Sequence, residues 1–533
     1  MVGETSIIAL PAFLAATKLY YQGHESLSIA LASGCLISLL PLPVKRIPFT
    51  TTDMYRIERM KDQGIVPGIL LIPFVLSACL VQLESLGGDP SLKQYIVLLL
   101  CINICMSVPK VLLTVKFKGV WTLGLVPLLA GVLGGAMYEL RGLNNSSLLS
   151  FELIVGLLCV STLLSAVSVV HIVHTLKRCF TSGEAMIMSD MLVLFTLDAL
   201  FATLEKMSPT HILQILSIPR IPIHIMSQAL ILGMILIGFL SYPILSNIPS
   251  LSAKGAKVNP QTIRLSVLFY AVAAAVVLVI IRPWAILILT EDPFLWLIQF
   301  IIEKPINRLG LLVYWALIVM IGVFFAVQNF GAEITENEVK DKSKKGLTYL
   351  NFKRKYFHAL AVAMFLPGYL VDNDLMHLSF SVALSALILV EYIRVFNVWP
   401  IGKDVAGFLR GFLDKKDRGV FILSHLYLLI GCALPVWINR ITTASATFHG
   451  VYGIITLGIA DAAASIVGYK YGKNRWPSST KTIEGTIAFV ASMFGTCVLL
   501  EAVLGGEGRV LQQFGVALIS GLLEAVRSVV NYL

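Results

Sequence analysis

Apolar residues along this chain fall neither in the alternation of a strand nor in the narrow stripe of a surface helix, but in unbroken blocks separated by short polar stretches. A block of about 20 apolar residues crosses the hydrocarbon of a bilayer as one helix. Such blocks occupy 65–84, 94–113, 119–139, 150–174, 185–204, 223–247, 263–281 and 308–330, then 357–371, 376–397, 419–438, 448–468, 483–504 and 510–531. Two weaker blocks, 5–21 and 25–41, bring the expected total to roughly 14 to 17 spans. The stretch 283–302 is equally oily but carries Pro283, Pro293 and the acidic pair Glu291 and Asp292, so it is expected to lie re-entrant or interfacial. No loop exceeds about 30 residues, too few for a core to close unaided. The pattern predicts an all-α polytopic membrane protein with no soluble domain.

Composition agrees, with 57% of the 533 residues hydrophobic, 14% charged and a mean hydropathy of +0.83, outside the range of water-soluble folds. The first block lacks a basic leader and a small-residue cleavage site, so no cleaved signal peptide is expected. The eight cysteines lie mostly inside the blocks and without CxxC spacing, as small buried hydrophobes that form neither a disulfide framework nor a zinc site.

Charge fixes the orientation. Of the Lys and Arg residues behind the formal net charge of +10, seven fall in loop 331–356, five in 398–418 and four in 469–482. The short loops between them, 372–375 and 439–447, carry none and one (Arg440). Two spans separate successive basic loops, so all three share one side, which the positive-inside rule makes cytoplasmic. Counting on from the basic segment that holds Lys45, Arg46, Arg56, Arg59 and Lys61 puts "RGLNNSSLL" on the opposite side. There its N-x-S/T sequons at Asn144 and Asn145 meet lumenal glycosyltransferases. Three regions follow: spans in 1–330, a basic cytoplasmic linker at 331–356, and a carboxy-terminal region, 357–533, that holds nearly all the chemistry-bearing residues. The cations serve the bilayer and anionic ligands, and no nucleic-acid partner is expected.

One stretch stands out, "GIADAAASIVGYKYGKNRWPSSTKTIEGT", residues 458–486. On a helix Asp461, Ser465 and Gly468 share a face, with Asp461 about 10 Å below the cytoplasmic end of its span. An intramembrane carboxylate costs several kcal/mol unless a cation meets it, which makes Asp461 a functional candidate by default. The loop beyond offers Lys470, Lys473, Arg475 and Lys481, with Gly468 and Gly472 letting the backbone approach a ligand. "STKTIEGT" then opens a helix whose free amides would face the same place. A carboxylate for a divalent cation and cations and amides for phosphates make a nucleotide triphosphate site. Taken singly, each element has a plainer explanation: Gly468 and Gly472 as helix packing, the basic loop as topology, Ser478 to Thr482 as capping. Those leave Asp461 unexplained. There is no Walker A sequence and no protein-kinase set, so the phosphate site is of another design.

"RKYFH" (354–358), "VEYIRVFNVWPIG" (390–402), "FLDKKDRGVFILSHLYLL" (412–429) and "DAAASIVGYKYGKNRWPSSTKTIEGT" (461–486) together resemble the dolichol kinase family, over about residues 351–526. That resemblance implies phosphoryl transfer from CTP to dolichol, giving dolichyl phosphate and CDP, with a divalent cation (Mg2+ or Ca2+), in the endoplasmic reticulum membrane with the site facing the cytoplasm. It implies service to N-glycosylation, other dolichol-dependent mannosylation and GPI-anchor synthesis. Carried over by position, the CTP-binding segment is 461–486. In it Asp461 holds the metal or acts as base, Lys473, Arg475 and Lys481 meet phosphates, Glu484 meets the metal or ribose, and Ser465, Gly468, Gly472, Thr482 and Gly485 line the nucleotide. Lys355 and His358, one turn apart where a span begins, are candidates for the same phosphates. Asp414, Asp417 and His425 are supporting candidates. Glu391 and Arg394 are as well explained by local helix pairing, and Asp190 and Asp198, also intramembrane, stay outside the matched motifs.

Two departures from the family are visible. Ala460 stands where the family has glycine before the aspartate, a change expected to be tolerated. After "LLEA" the family continues with a polar segment containing an Asp-Asn pair, whereas this chain reads "LLEAVRSVVNYL"; activity is expected to be impaired if that pair serves the site. The alternatives are another CTP-dependent lipid enzyme (a phytol or polyprenol kinase, or a phosphatidate cytidylyltransferase) and a transporter with Asp461 on its ion path. Oligomeric state is not legible.

Overall fold

The computed structural model describes residues 2–39, 54–55, 64–114, 133, 136, 151–207, 218, 220–249, 259–330, 344–410, 419–442, 448–476, 481–504 and 509–529. Most of the expected span 119–139, the sequons at Asn144 and Asn145, the part of the linker before residue 344, and Asp414 and Asp417 therefore lie outside the described residues. What is described is helical, with one isolated β-bridge between Arg475 and Thr482. Ten of the helices are long and apolar enough to cross a membrane, and five shorter apolar helices accompany them. No soluble domain is found among the described residues. All-helical structure follows from the solvent, because a helix satisfies every backbone N–H and C=O within its own segment.

The amino-terminal helices are α1 (Val2–Tyr21), α2 (Glu25–Leu39), α3 (Ile65–Ser85), α4 (Pro90–Thr114), α5 (Phe151–Thr175) and α6 (Ser182–Met207). They share a core through Leu19, Leu80, Cys101 and Phe201. Next come α7 (Pro222–Leu245), α8 (Pro260–Ala275), α9 (Arg282–Leu289), α10 (Pro293–Glu303) and α11 (Pro305–Phe330).

Here the structure departs from the expected boundaries. The span does not stop at Ile281 but continues through Pro283 to Leu289, as one crossing from Pro260 to Leu289. Residues Val276–Ile281 widen into a π-helix in which the Arg282 amide reaches back to the Val277 carbonyl, so the helix takes up the proline without breaking. The break comes instead at Thr290, left-handed at φ 65°. Asp292 then caps α10 by accepting from the Phe294 and Leu295 amides. At 11 residues, or about 16 Å, α10 is too short to cross. Buried Arg308 anchors it: its guanidinium stacks 3.6 Å from the Phe300 ring centroid and donates to Asp372 at 3.1 Å.

The carboxy-terminal helices are α12 (Lys344–Val371), α13 (Asn373–Val395), α14 (Gly402–Arg410), α15 (Leu423–Thr442), α16 (Tyr452–Ile454), α17 (Asp461–Tyr471), α18 (Ile483–Leu504) and α19 (Val510–Val529). A π-helical stretch, Ile455–Ala460, joins α16 to α17. Tyr369, Phe380, Val436, Ile455, Phe489 and Cys497 form their core. The two halves meet where the Val420 amide donates to the Lys177 carbonyl and the Phe421 amide to the Cys179 thiol.

Candidate active site

The site starts at a contact that only a glycine allows. A Cβ on Gly458 would stand 2.2 Å from Val362 Cγ2, so its absence lets the π-helical stretch press against α12. That closeness carries Asp461, the next helical turn along, onto the first span-forming turns of α12. Lys355 Nζ donates to Asp461 Oδ2 at 2.5 Å and to the Asp461 main-chain oxygen at 3.0 Å. His358, three residues on and therefore on the same face, brings Nε2 to 3.6 Å from the same carboxylate oxygen. No described residue bonds Oδ1. The Asp461 side chain is 31% exposed and that of Lys355 18%, so the pair sits at a helix interior yet open on one side.

The loop between α17 and α18 folds back on itself as a short hairpin. The Arg475–Thr482 bridge, the Trp476 amide on the Lys481 carbonyl (3.1 Å) and the Ile483 amide on the Asn474 carbonyl (2.9 Å) close it. Thr482 plugs the crossing of the two helices. A Cβ on Gly468, Gly472 or Gly485 would lie 2.8, 2.8 or 3.0 Å from its hydroxyl oxygen, so these glycines make room for Thr482 and for the approach of α18 to α17. Glu484 accepts from the Asn474 amide at 3.0 Å and from its side-chain amide at 2.9 Å, which staples the hairpin to α18.

One expectation changes here. The Ile483 amide is held by Asn474 and the Gly485 amide by the Thr482 hydroxyl (3.2 Å). The first turn of α18 is thus capped by the loop itself, and anion binding at that end falls to side chains. Of the loop cations, Lys470, Lys473 and Arg475 are exposed. Lys481 is half-buried, bears electrostatically on the Asp461 carboxylate, and pairs with Glu524 of α19.

Asp461, Lys355, His358 and Lys481 are therefore brought together, with Thr482, Gly468, Gly472 and Gly485 forming the floor beneath them. Ser465 lies half-buried on α17. Glu391 and Arg394 serve another purpose: Glu391 accepts from the Ile422 amide at 3.0 Å and Arg394 donates to the Val420 carbonyl at 2.6 Å. This fork fastens the segment leading into α15, the helix that carries His425. Glu524 was missed by sequence reasoning, although an acid inside the apolar block 510–531 raises the question that singled out Asp461. Among the described residues no three His, Cys, Asp or Glu side chains converge to hold a metal. Such a donor set suits a cation that arrives on phosphates and takes one carboxylate from the protein.

The comparisons with known proteins point one way. The profile of the family described as dolichol kinase matches residues 143–516. The chain is 29% identical over 525 residues to a dolichol kinase of Arabidopsis thaliana, covering 91% of this chain and 88% of that protein. To the human dolichol kinase it is 26% identical over 487 residues, covering 89% and 82%. To dolichol kinase sec59 of Schizosaccharomyces pombe it is 34% identical over 254 residues, covering 46% and 49%. No solved structure matches the chain significantly.

Proposed function

The chain belongs to the dolichol kinase family, and from that premise we propose that it transfers the γ-phosphate of CTP to the terminal hydroxyl of dolichol, with the chemistry at Asp461. The observation that carries this reading is the Lys355–Asp461–His358 cluster, formed at the start of the apolar part of α12, Lys355–Val371, and open on one side. A lipid alcohol held at headgroup depth and a nucleotide arriving from the cytoplasm would meet at that level.

Lys481 and Lys355 would draw the phosphates in, with Lys473 and Arg475 of the exposed hairpin as outer guides. Asp461 Oδ1 would accept the proton of the dolichol hydroxyl as its oxygen attacks the γ-phosphorus. The bond between that phosphorus and the bridging oxygen breaks, and its electron pair leaves on CDP. Lys355 holds Oδ2 and fixes the carboxylate's orientation, while the His358 ring stands 3.6 Å from the same oxygen. Work of this kind is positioning and charge neutralisation, as phosphoryl transfer requires. A divalent cation, Mg2+ or Ca2+, would be held by the CTP phosphates with Asp461 as its protein ligand, and would offset charge on the transferring group. Glu484 would contribute by keeping the hairpin folded.

In this reading the catalytic region is 357–533, the nucleotide segment 461–486, and the site faces the cytoplasm from the endoplasmic reticulum membrane. The test is to give microsomes containing the protein dolichol and CTP labelled either in the γ-phosphate or in the CMP moiety. The γ-label should enter dolichyl phosphate and the CMP label should stay in solution. CMP label in lipid would make the protein a cytidylyltransferase, and no label in lipid would remove the kinase reading.

A further inference from the structure

Lys481 is the half-buried cation of the hairpin, and its partner is a carboxylate on a helix that ends the described chain. Gly521 sets that partner in place. A Cβ there would stand 2.6 Å from Val490 Cγ2 and 3.4 Å from Phe489 Cδ1, so the glycine lets α19 lie tight against the first turns of α18. Three residues on, and so on the same face, Glu524 meets Lys481 at the start of α18. The two ends of the pair differ in exposure: the Glu524 side chain is 16% exposed and that of Lys481 42%. Glu524 lies beyond residue 516, where the family match stops.

We propose that Glu524 is a positioning residue for nucleotide binding: it holds the Lys481 ammonium in the direction of Asp461, where a phosphate meets it. A carboxylate this deep beside an apolar helix is costly without its cation, so the pair persists when phosphate arrives and is not exchanged for it. Without Glu524 the four-carbon stem of Lys481 regains its rotamers, and each binding event must order it again. The penalty falls on nucleotide binding and not on the chemical step, because Glu524 touches neither reacting atom.

This inference rests on the kinase reading, and the test separates the two. With the full-length protein in membranes, KM for CTP and kcat are measured for K481A, E524Q and the double variant. K481A should raise KM for CTP about ten- to a hundred-fold. E524Q should raise it about tenfold with kcat within about twofold, and the double variant should resemble K481A alone, since the two residues act as one unit. If K481A raises KM and E524Q leaves it unchanged or lowers it, or if the two effects multiply, the positioning role is overturned while the nucleotide site stands. If K481A itself leaves KM unchanged, the nucleotide site is misplaced. E524D keeps the charge but, one methylene shorter, draws the ammonium away from Asp461 and should raise KM severalfold; an unchanged KM there also overturns the proposal, including where E524Q fails to accumulate.

Discussion

Lys110 with Asp190 in the amino-terminal helices, and Lys355 with Asp461 in the carboxy-terminal ones, are the same two side chains in the same oily surroundings. They differ in closure. Lys110 and Asp190 are 4% and 2% exposed, and Asp190 also accepts from the Ser165 hydroxyl at 2.7 Å, with Ser189 alongside that serine. The pair joins α4 to α6, with Ser165 of α5 on the same carboxylate, and solvent barely reaches it. Lys355 and Asp461 are left open, share the carboxylate with His358, and leave Oδ1 without a described partner. An intramembrane acid is therefore a question with two answers. A sealed and saturated one fastens helices, whereas an open and under-committed one can receive a substrate.

The comparison breaks most visibly at the sealed pair. Replacing Asp190 by Asn leaves a buried ammonium without its counter-charge, a loss of about 3–5 kcal/mol. Membrane abundance and the Tm in detergent should fall sharply, while the KM for CTP of the surviving fraction should not move. Replacing both partners together, as K110M with D190L, should recover most of that stability, because a packed apolar pair serves a sealed site as well. At the open pair the signature reverses. K355M should leave Tm close to the parent and lower kcat roughly a hundredfold, since Asp461 keeps its charge but loses its orientation. Within the hairpin, K481A should lower kcat/KM for CTP about ten- to a hundred-fold, by loss of a charge-assisted phosphate contact, while K470A at an exposed position should change little. Equal small losses at 481 and 470 would mean that the loop's charge acts only in bulk. The smallest effect sharpens the floor of the site. G468A pushes a methyl to 2.8 Å from the Thr482 hydroxyl, and the relief of that overlap should cost roughly 1 kcal/mol, about fivefold in kcat/KM.

Much of this was legible in the sequence because a bilayer leaves the chain few choices. Blocks such as 65–84, 94–113 and 483–504 recur as Ile65–Ser85, Pro90–Thr114 and Ile483–Leu504, since length and apolarity decide a span almost alone. Asp461 was legible as a misfit in its block. Its partner was not, because Lys355 lies 106 residues away and periodicity says nothing about which helices touch. Depth gave no help either, because Asp461 lies well inside its block whereas Lys355 stands two residues before the block 357–371. The passage through Pro283 was missed because proline normally marks a break, and the π-helical adjustment that accommodates it has no signature in composition. Free amides at the start of α18 were expected from its position alone, but Asn474 and Thr482, residues of the very loop in question, had already bonded them. Glu524 went unassigned although it is the acid of the quoted "LLEA", because that stretch was read for where the family departs after it and not for the acid within it.

The central claim is that Asp461 is the group on which phosphoryl transfer turns, not another helix fastener like Asp190. The direct measurement is kcat for γ-phosphate transfer from CTP to dolichol by D461N, alongside its membrane abundance and Tm. Asparagine keeps the volume and removes the charge, so the account predicts normal abundance, a Tm near the parent's and a loss of at least about a thousandfold in kcat. Activity near that of the parent, or a collapse of abundance like that expected of D190N, would contradict it.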